Sequence, residues 1–547
     1  SNPTFEDPKS IASRYHSRIG SSRVGCNPFA CACDHGMMTS VEYQTLALQK
    51  AESSGEDVEF SSSEDELEVQ PSLLCELALP SPEMLRATTS ATPLRHFGAL
   101  MRSSAGSEVA RGHSEDCYDL SFGVQRIHDF WSHSWHGPRW AKLLVLLIHY
   151  NWSGGVFGGL LGAAAAALAI HQSEHPENPH ICSIISMTSG FVGFAFGIWT
   201  SFYASHIFLD KVCICQTDPQ LKAWGIAGLG GYLRHSDCML TLWDSTYFQR
   251  LWCVFELTGF AFLRKDEPTK RLRVLPTFHG PIVLYGMMML GVQGLFTRYV
   301  FYLCEDDRIS PASVKILVGS YCLATLWVFA YWMRSCARDA ASVSAQIATF
   351  SFSHALCFCC SCNHRHPDSG AEIACDRKLV YTALTTWFGS IELAEQFLRE
   401  HVLPHFCVKV KMSYRKTLLI CFPILWLHMG NIARDVHALQ VDDVLLNVCA
   451  GDTRVLFWLT VAMCESPCIF EVMTRVAIRL KYTTSSRFED CIRSLIAALS
   501  GIAFANIFRY ANVHLRAGLG CTWTAAVLRF AINFLSVGLL FGRRLFA

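Results

Sequence analysis

Apolar residues in this chain fall into long blocks. Eight of them, at 152–171, 181–205, 281–303, 311–332, 417–432, 455–478, 491–510 and 521–541, approach or exceed the roughly 20 residues that a bilayer-crossing helix needs. The fifth block is short, and the sixth contains acidic residues. Residues 142–150 are apolar as well, but Trp131, Trp135 and Trp140 precede them, which predicts a helix lying in the membrane interface. The pattern therefore predicts a mainly α, polytopic membrane protein with about eight transmembrane helices.

Positive charge tests this map independently. Alternate connections carry few Lys or Arg: none in 171–180, Arg308 in 304–310, Arg434 and Arg454 in 433–454, and Arg516 in 511–520. The intervening connections are basic, with nine in 206–280, nine in 335–416 and three in 477–490. Cytoplasmic connections carry the positive excess. Eight spans with both termini in the cytosol satisfy that rule at every connection, whereas seven or nine break it.

The blocks divide the chain into a disordered cytosolic tail (1–117), an interfacial aromatic segment (118–151) and helices 1–2 (152–205). A cytosolic module (206–280), helices 3–4 (281–334), a Cys/His-rich cytosolic segment (335–416) and helices 5–8 (417–547) follow. The tail is rich in Ser, Glu, Gly and Pro, with an acidic run at 61–68, and is too polar to bury a core. Hydrophobic residues make up 51% of the chain and charged residues 17%, with zero formal net charge, so the lipid bilayer and not nucleic acid is the expected general partner. The 25 cysteines lack the spacing of a secreted disulfide scaffold, and many lie inside apolar blocks.

Residues 206–280 read as a small α/β unit. The run at 207–214 has a strand's β-branched and aromatic bias. Asp218 before Pro219 marks a helix start, predicted to run to about Arg234. Strands at 238–243 and 271–275 bracket a second helix at 247–263. Strand–helix–strand–helix–strand order implies a parallel sheet.

Tyr247 to Leu257 reads Y-F-Q-R-L-W-C-V-F-E-L, which resembles the Y-x-x-S-x-W-C-x-x-E-L segment of TIR domains. Phe208 to Asp218, F-L-D-K-V-C-I-C-Q-T-D, resembles a segment of fungal heterokaryon-incompatibility domains, which are similar in fold to TIR. With D-F-W-S-H-S-W-H-G-P at 129–138 and C-F-C-C-S-C-N-H-R-H-P at 357–367, most of the chain beyond about residue 115 resembles an uncharacterised family of multi-pass proteins from dinoflagellate algae. The TIR resemblance implies that Glu256 is the glutamate that cleaves NAD as substrate, beside Trp252. Phe248, Trp252 and Glu256 share one helix face by spacing, and Asp244 is expected at the carboxyl ends of the strands, where such sheets bind ligands. Three departures stand out, one being that the loop lining the family's nucleotide cleft is not evident. Arg250 replaces the family's serine, and no first TIR strand is recognisable, the second span occupying its place.

The second cytosolic segment gathers Cys357, Cys359, Cys360, Cys362, His364 and His366, with Cys375 beyond. Cys357/Cys360 and Cys359/Cys362 have C-x-x-C spacing, and Cys357, Cys360, Cys362, His366 and Cys375 make a candidate zinc set in a reducing compartment. Acylated cysteines near the membrane and an unliganded reduced cluster are the alternatives. The stretch 379–402 is expected to supply one or two amphipathic helices docking on this cluster. In the membrane, Glu465 and Arg529 sit at similar depth and are expected to form a buried ion pair joining spans six and eight, with Pro467 kinking the former. Three functions remain: a signalling or scaffold protein whose TIR-like module gathers protein partners, an NAD-cleaving enzyme using Glu256, and a transporter or channel.

Overall fold

The computed structural model describes residues 73–101, 117–172, 179–201, 204–348, 350–365, 370, 375–409, 412–441, 459–482, 486–519 and 523–542. It joins a six-stranded sheet with its covering helices to a bundle of long apolar helices.

The strands are β1 (Arg86–Thr89), β2 (Phe122–Gly123), β3 (Ile127–His133), β4 (His206–Phe208), β5 (Ser236–Trp243) and β6 (Leu272–Pro276). They lie in the order β2-β1-β4-β3-β5-β6. The last four positions are mutually parallel, and β1 runs antiparallel to both β4 and β2. Along the chain, the parallel strands occur as second, first, third and fourth, the order of one common doubly wound sheet. The sheet thus reaches beyond 206–280: its central strand β3 comes from the segment expected to lie in the interface, and β1 from the segment expected to be a disordered tail. The rest of the expected tail, 1–72 and 102–116, lies outside the described residues.

β3 feeds α1 (Arg139–Gln172), one unbroken helix of 34 residues. At 1.5 Å per residue it is about 51 Å long, well beyond a hydrocarbon core of about 30 Å. Its first turns cover the sheet. Leu143, Val145, Leu146 and Leu147 pack on Trp131, Ile207, Leu240, Leu242 and Leu275. Tyr150 of α1 is bound to β3 from both sides: Trp131 Nε1 donates to Tyr150 Oη (2.9 Å), which donates to Asp129 Oδ2 (2.8 Å). Residues 142–150 therefore form the sheet's covering layer, and Trp131 belongs to the core at 2% exposure rather than to an aromatic belt.

The remainder of α1 pairs with α2 (Pro179–Thr200) through facing glycines. A Cβ on Gly158 would come within 2.2 Å of Gly193 O, and one on Gly193 within 2.1 Å of Gly158 O. Gly154, Gly158 and Gly162 recur every fourth residue, the small-residue spacing that lets apolar helices approach closely. After α2 come β4, α3 (Pro219–Ala227), α4 (Leu229–Arg234), β5, α5 (Leu251–Phe262) and β6. Asp218 caps α3, accepting from the Leu221 amide at 2.9 Å, with Pro219 in the first turn. Gly228 separates α3 from α4, so the expected single helix is two.

The bundle continues with α6 (His279–Glu305) and α7 (Pro311–Ala348). Helices α8 (Asp376–Phe388), α9 (Ile391–Phe397) and α10 (Leu403–Lys409) then fold back over the sheet's second face, where Val380, Ala383, Leu384, Ala394 and Leu398 join the core around α5. Finally come α11 (Tyr414–Val441), α12 (Ser466–Arg479), α13 (Arg487–Leu519) and α14 (Trp523–Phe541). Among the described residues six helices are long and apolar enough to cross a membrane: α1, α2, α6, α7, α11 and α13, as for an integral membrane protein. The expected sixth block lies partly outside the described residues, and the apolar stretch Val527–Phe541 of α14 is shorter.

Candidate functional site

Strand alternation sends Phe130 and Ser132 of β3 toward α5, and Trp131 toward α1. Ser132 Oγ donates to Glu256 Oε2 at 2.6 Å and lies 2.6 Å from Tyr247 Oη, which in turn donates to the Cys253 carbonyl (3.1 Å). Glu256 is 8% exposed, among core residues Val254, Phe255 and Leu257. Burial pushes its carboxyl up to about 8; the Ser132 hydrogen bond works against that rise, and the nearby Asp210 carboxylate adds to it. At neutral pH this side chain is therefore mostly a protonated acid.

Trp252 turns away from that group. Its Nε1 donates to Asp376 Oδ2 at the start of α8 (3.3 Å), and its ring meets Phe255 edge-on. Shared spacing along α5 does not bring Trp252 and Glu256 to the same partners. Asp244 follows β5 and caps the next turn, with Oδ1 accepting from the Thr246 amide (2.8 Å) and hydroxyl (2.6 Å). Thr246 Oγ1 lies 2.7 Å from Ser134 Oγ, so Asp244 ties the loop after β5 to the loop after β3. The backbone there is tight, since a Cβ on Gly137 would sit 2.0 Å from Asp244 Oδ2.

Asp210, just past β4, completes a ring of polar groups at the carboxyl ends of β3, β4 and β5, where a doubly wound sheet changes direction. Burial pushes its carboxyl up to about 6, with the Lys211 amide and the Trp135 side chain acting to lower it. Lys142 of α1 donates to the Ser134 carbonyl within the same ring. Sequence reasoning found Glu256 and Asp244 here but missed Ser132, Tyr247, Asp210 and Lys142. The available signal was the S-H-S alternation at 132–134, which belongs to a buried strand with one polar face. The Glu256 carboxyl is buried beneath Ser132 and Tyr247.

The Cys/His segment makes a different cluster. Cys359, Cys360, His364 and Cys375 bring their ligand atoms within 4.8 Å of one another, and Cys357, Cys359 and Asp376 form an adjoining group. Of the expected set, Cys360 and Cys375 fall in the first group and Cys357 in the second. Cys362 belongs to neither group, and His366 lies outside the described residues. The chain turns sharply at Asn363 and His364, both left-handed (φ 52° and 58°), and this reversal brings His364 back over Cys360. Spacing alone cannot reveal such a reversal.

In the bundle, Arg529 of α14 donates to Glu465 Oε1 at 2.8 Å, both side chains being buried. Glu465 ends a wide π-type turn, Val461–Glu465, that leads into α12 with Pro467 in its first turn. A further buried cation escaped sequence reasoning. Arg334 of α7, fully buried, pairs with Asp490 Oδ1 (2.6 Å) and donates to Leu480 O (2.7 Å), Asp490 O (2.5 Å) and Ser494 Oγ (2.8 Å).

Comparison of the chain with protein-family profiles, with curated proteins and with solved structures gives no match.

Proposed function

We propose that this chain is a multi-pass membrane protein of signalling or scaffold type, in which a TIR-like α/β module on the cytosolic side gathers protein partners. The observation that carries this reading is the join between sheet and bundle. β3 runs into α1, α2 leads back to β4, and only Thr277 and Phe278 separate β6 from α6. A shift of those helices would reach the centre and edge of the sheet directly, as a receptor-like coupling requires. The second-first-third-fourth strand order and the W-C-V-F-E stretch on α5 support the TIR-like reading, and with it the likeness to the dinoflagellate membrane family.

Eight crossing helices, with both termini cytosolic, belong to the same proposal. Helix ends pair as alternating directions would have them. His180 at the start of α2 meets Glu305 at the end of α6 (2.9 Å), Arg334 late in α7 holds the exit of α12 and the entry of α13, and Arg475 of α12 donates to Leu540 near the end of α14. The NAD-cleaving reading draws less from the geometry, because Glu256 is sealed in the core. The transporter reading draws less too, because Glu465 and Glu471 are each held by an arginine, Arg529 and Arg475.

Two measurements on the full-length chain test the proposal. In detergent, with NAD at about 1 mM, the upper end of usual KM values, no turnover is expected. Turnover abolished by Glu256→Gln would replace the scaffold with an enzyme. In microsomes, a glycosylation acceptor placed within 442–454 should be modified and one placed near residue 370 should not; the opposite pattern would reverse the orientation.

A further inference from the structure

We propose that Cys359, Cys360, His364 and Cys375 bind one zinc ion through three thiolates and one imidazole nitrogen, a site independent of the signalling reading above. The geometry comes first. Zinc–sulfur bonds of about 2.3 Å at tetrahedral angles place neighbouring sulfurs about 3.8 Å apart, and a sulfur and a nitrogen about 3.6 Å apart. Cys360 Sγ lies 3.9 Å from Cys359 Sγ, 3.7 Å from Cys375 Sγ and 3.8 Å from His364 Nε2. One sulfur thus sees its three partners at close to the edge lengths of a zinc tetrahedron.

The backbone supplies a second, independent observation. Asn363 and His364 are consecutive non-glycine residues in the left-handed region, a conformation that costs energy and persists where its surroundings over-determine it. The turn is closed by the His364 amide donating to the Cys359 carbonyl at 2.8 Å, which carries the ring back to Cys360. Ligation to a shared ion gives that strained turn a reason to exist.

The surroundings suit a charged centre. Zinc with three thiolates and a neutral imidazole carries one net negative charge, and its binding releases the three thiol protons to solvent. The Arg377 guanidinium lies beside Cys360 and donates to the carbonyls of Phe352 and Ala355, setting a fixed cation near the sulfurs. Asp376 follows Cys375 directly and accepts from Trp252 Nε1, so the site is anchored to α5. Leu356, three residues before Cys359, exchanges backbone hydrogen bonds with Gln249 and Leu251 at the start of α5. An ion here would brace the turn at 359–364 against the start of α8, beside the hydrogen bonds that tie Leu356 and Asp376 to the start of α5. Thiolate-rich tetrahedral sets select zinc over the harder divalent ions.

The test is metal analysis of the detergent-purified full-length chain, grown with zinc in the medium. About one zinc per chain is expected, with X-ray absorption showing three sulfurs near about 2.3 Å and one nitrogen near about 2.0 Å. Cys375→Ser and His364→Ala should lower the zinc content, and Cys362→Ser should leave it unchanged. Because a ligand variant can fail to fold, the absorption spectrum of the unaltered chain stands as a separate readout. Absence of zinc, a four-sulfur shell, loss of metal on Cys362→Ser, iron in place of zinc, or an intact mass showing a Cys360–Cys375 disulfide would each overturn the assignment.

Discussion

Glu256 shows how one buried carboxyl sets a pH dependence. Its folded value of about 8 lies above the ordinary 4.5, so between those values the folded chain holds a proton that the unfolded chain releases. Stability from this group is fully present below about pH 4.5 and declines as pH rises toward 8. Glu256→Gln keeps the shape and removes the titration. The variant is expected to match the parent within about 1 kcal/mol in acid and to unfold at a higher temperature than the parent near pH 8.5, as followed by tryptophan fluorescence. A parent whose unfolding temperature rose across this range would refute the assignment. Arg334 makes the opposite point, since its guanidinium is saturated by carbonyls, a hydroxyl and Asp490. Arg334→Met leaves Asp490 without its main partner and should cost about 3–5 kcal/mol. Arg334→Lys should recover only part of this, because an ammonium cannot reproduce the fork.

Among the elements, those set by local chemistry were the most legible. The Asp218–Pro219 helix start, strand β5 and the long apolar helices all follow from residues near one another in the chain. β3 was not legible, because I-H-D-F-W-S-H has no strand-like run of β-branched residues. Only burial by α1 on one face and α5 on the other makes a strand of it. The break at Gly228 and the fusion of 142–150 with the first span were hidden for the same reason: packing partners distant in sequence decide them. At the site, Glu256 could be picked out from a motif, while Ser132, its hydrogen-bond partner, is 124 residues away. The α1–α2 seam offers a direct check on an element contact. Gly158→Val drives a side chain into the Gly193 carbonyl and should destabilise the chain by roughly 1–3 kcal/mol, whereas Gly319→Val, where a Cβ meets nothing within 4 Å, should be nearly silent in the same thermal assay.

For the whole molecule, the Glu465–Arg529 pair links α12's approach to α14, the last helix of the bundle. Removing one partner leaves a buried charge, and removing both does not. Arg529→Met alone is thus expected to destabilise more than Glu465→Gln combined with Arg529→Met, by on the order of 1–3 kcal/mol in a double-mutant cycle. Equal losses would mean that the two side chains do not act together. The crossover from β3 to β4, with α1 and α2 in place of an ordinary surface helix, has a consequence for synthesis. The ribosome delivers the sheet's central strand before the first membrane hairpin, and both of its neighbours, β4 and β5, only afterwards. On the multi-pass reading proposed above, the nascent chain must therefore hold an unpaired strand, destined for burial on both faces, at the membrane surface while α1 and α2 insert. On that reading the sheet module cannot finish folding until the first membrane hairpin has begun to form.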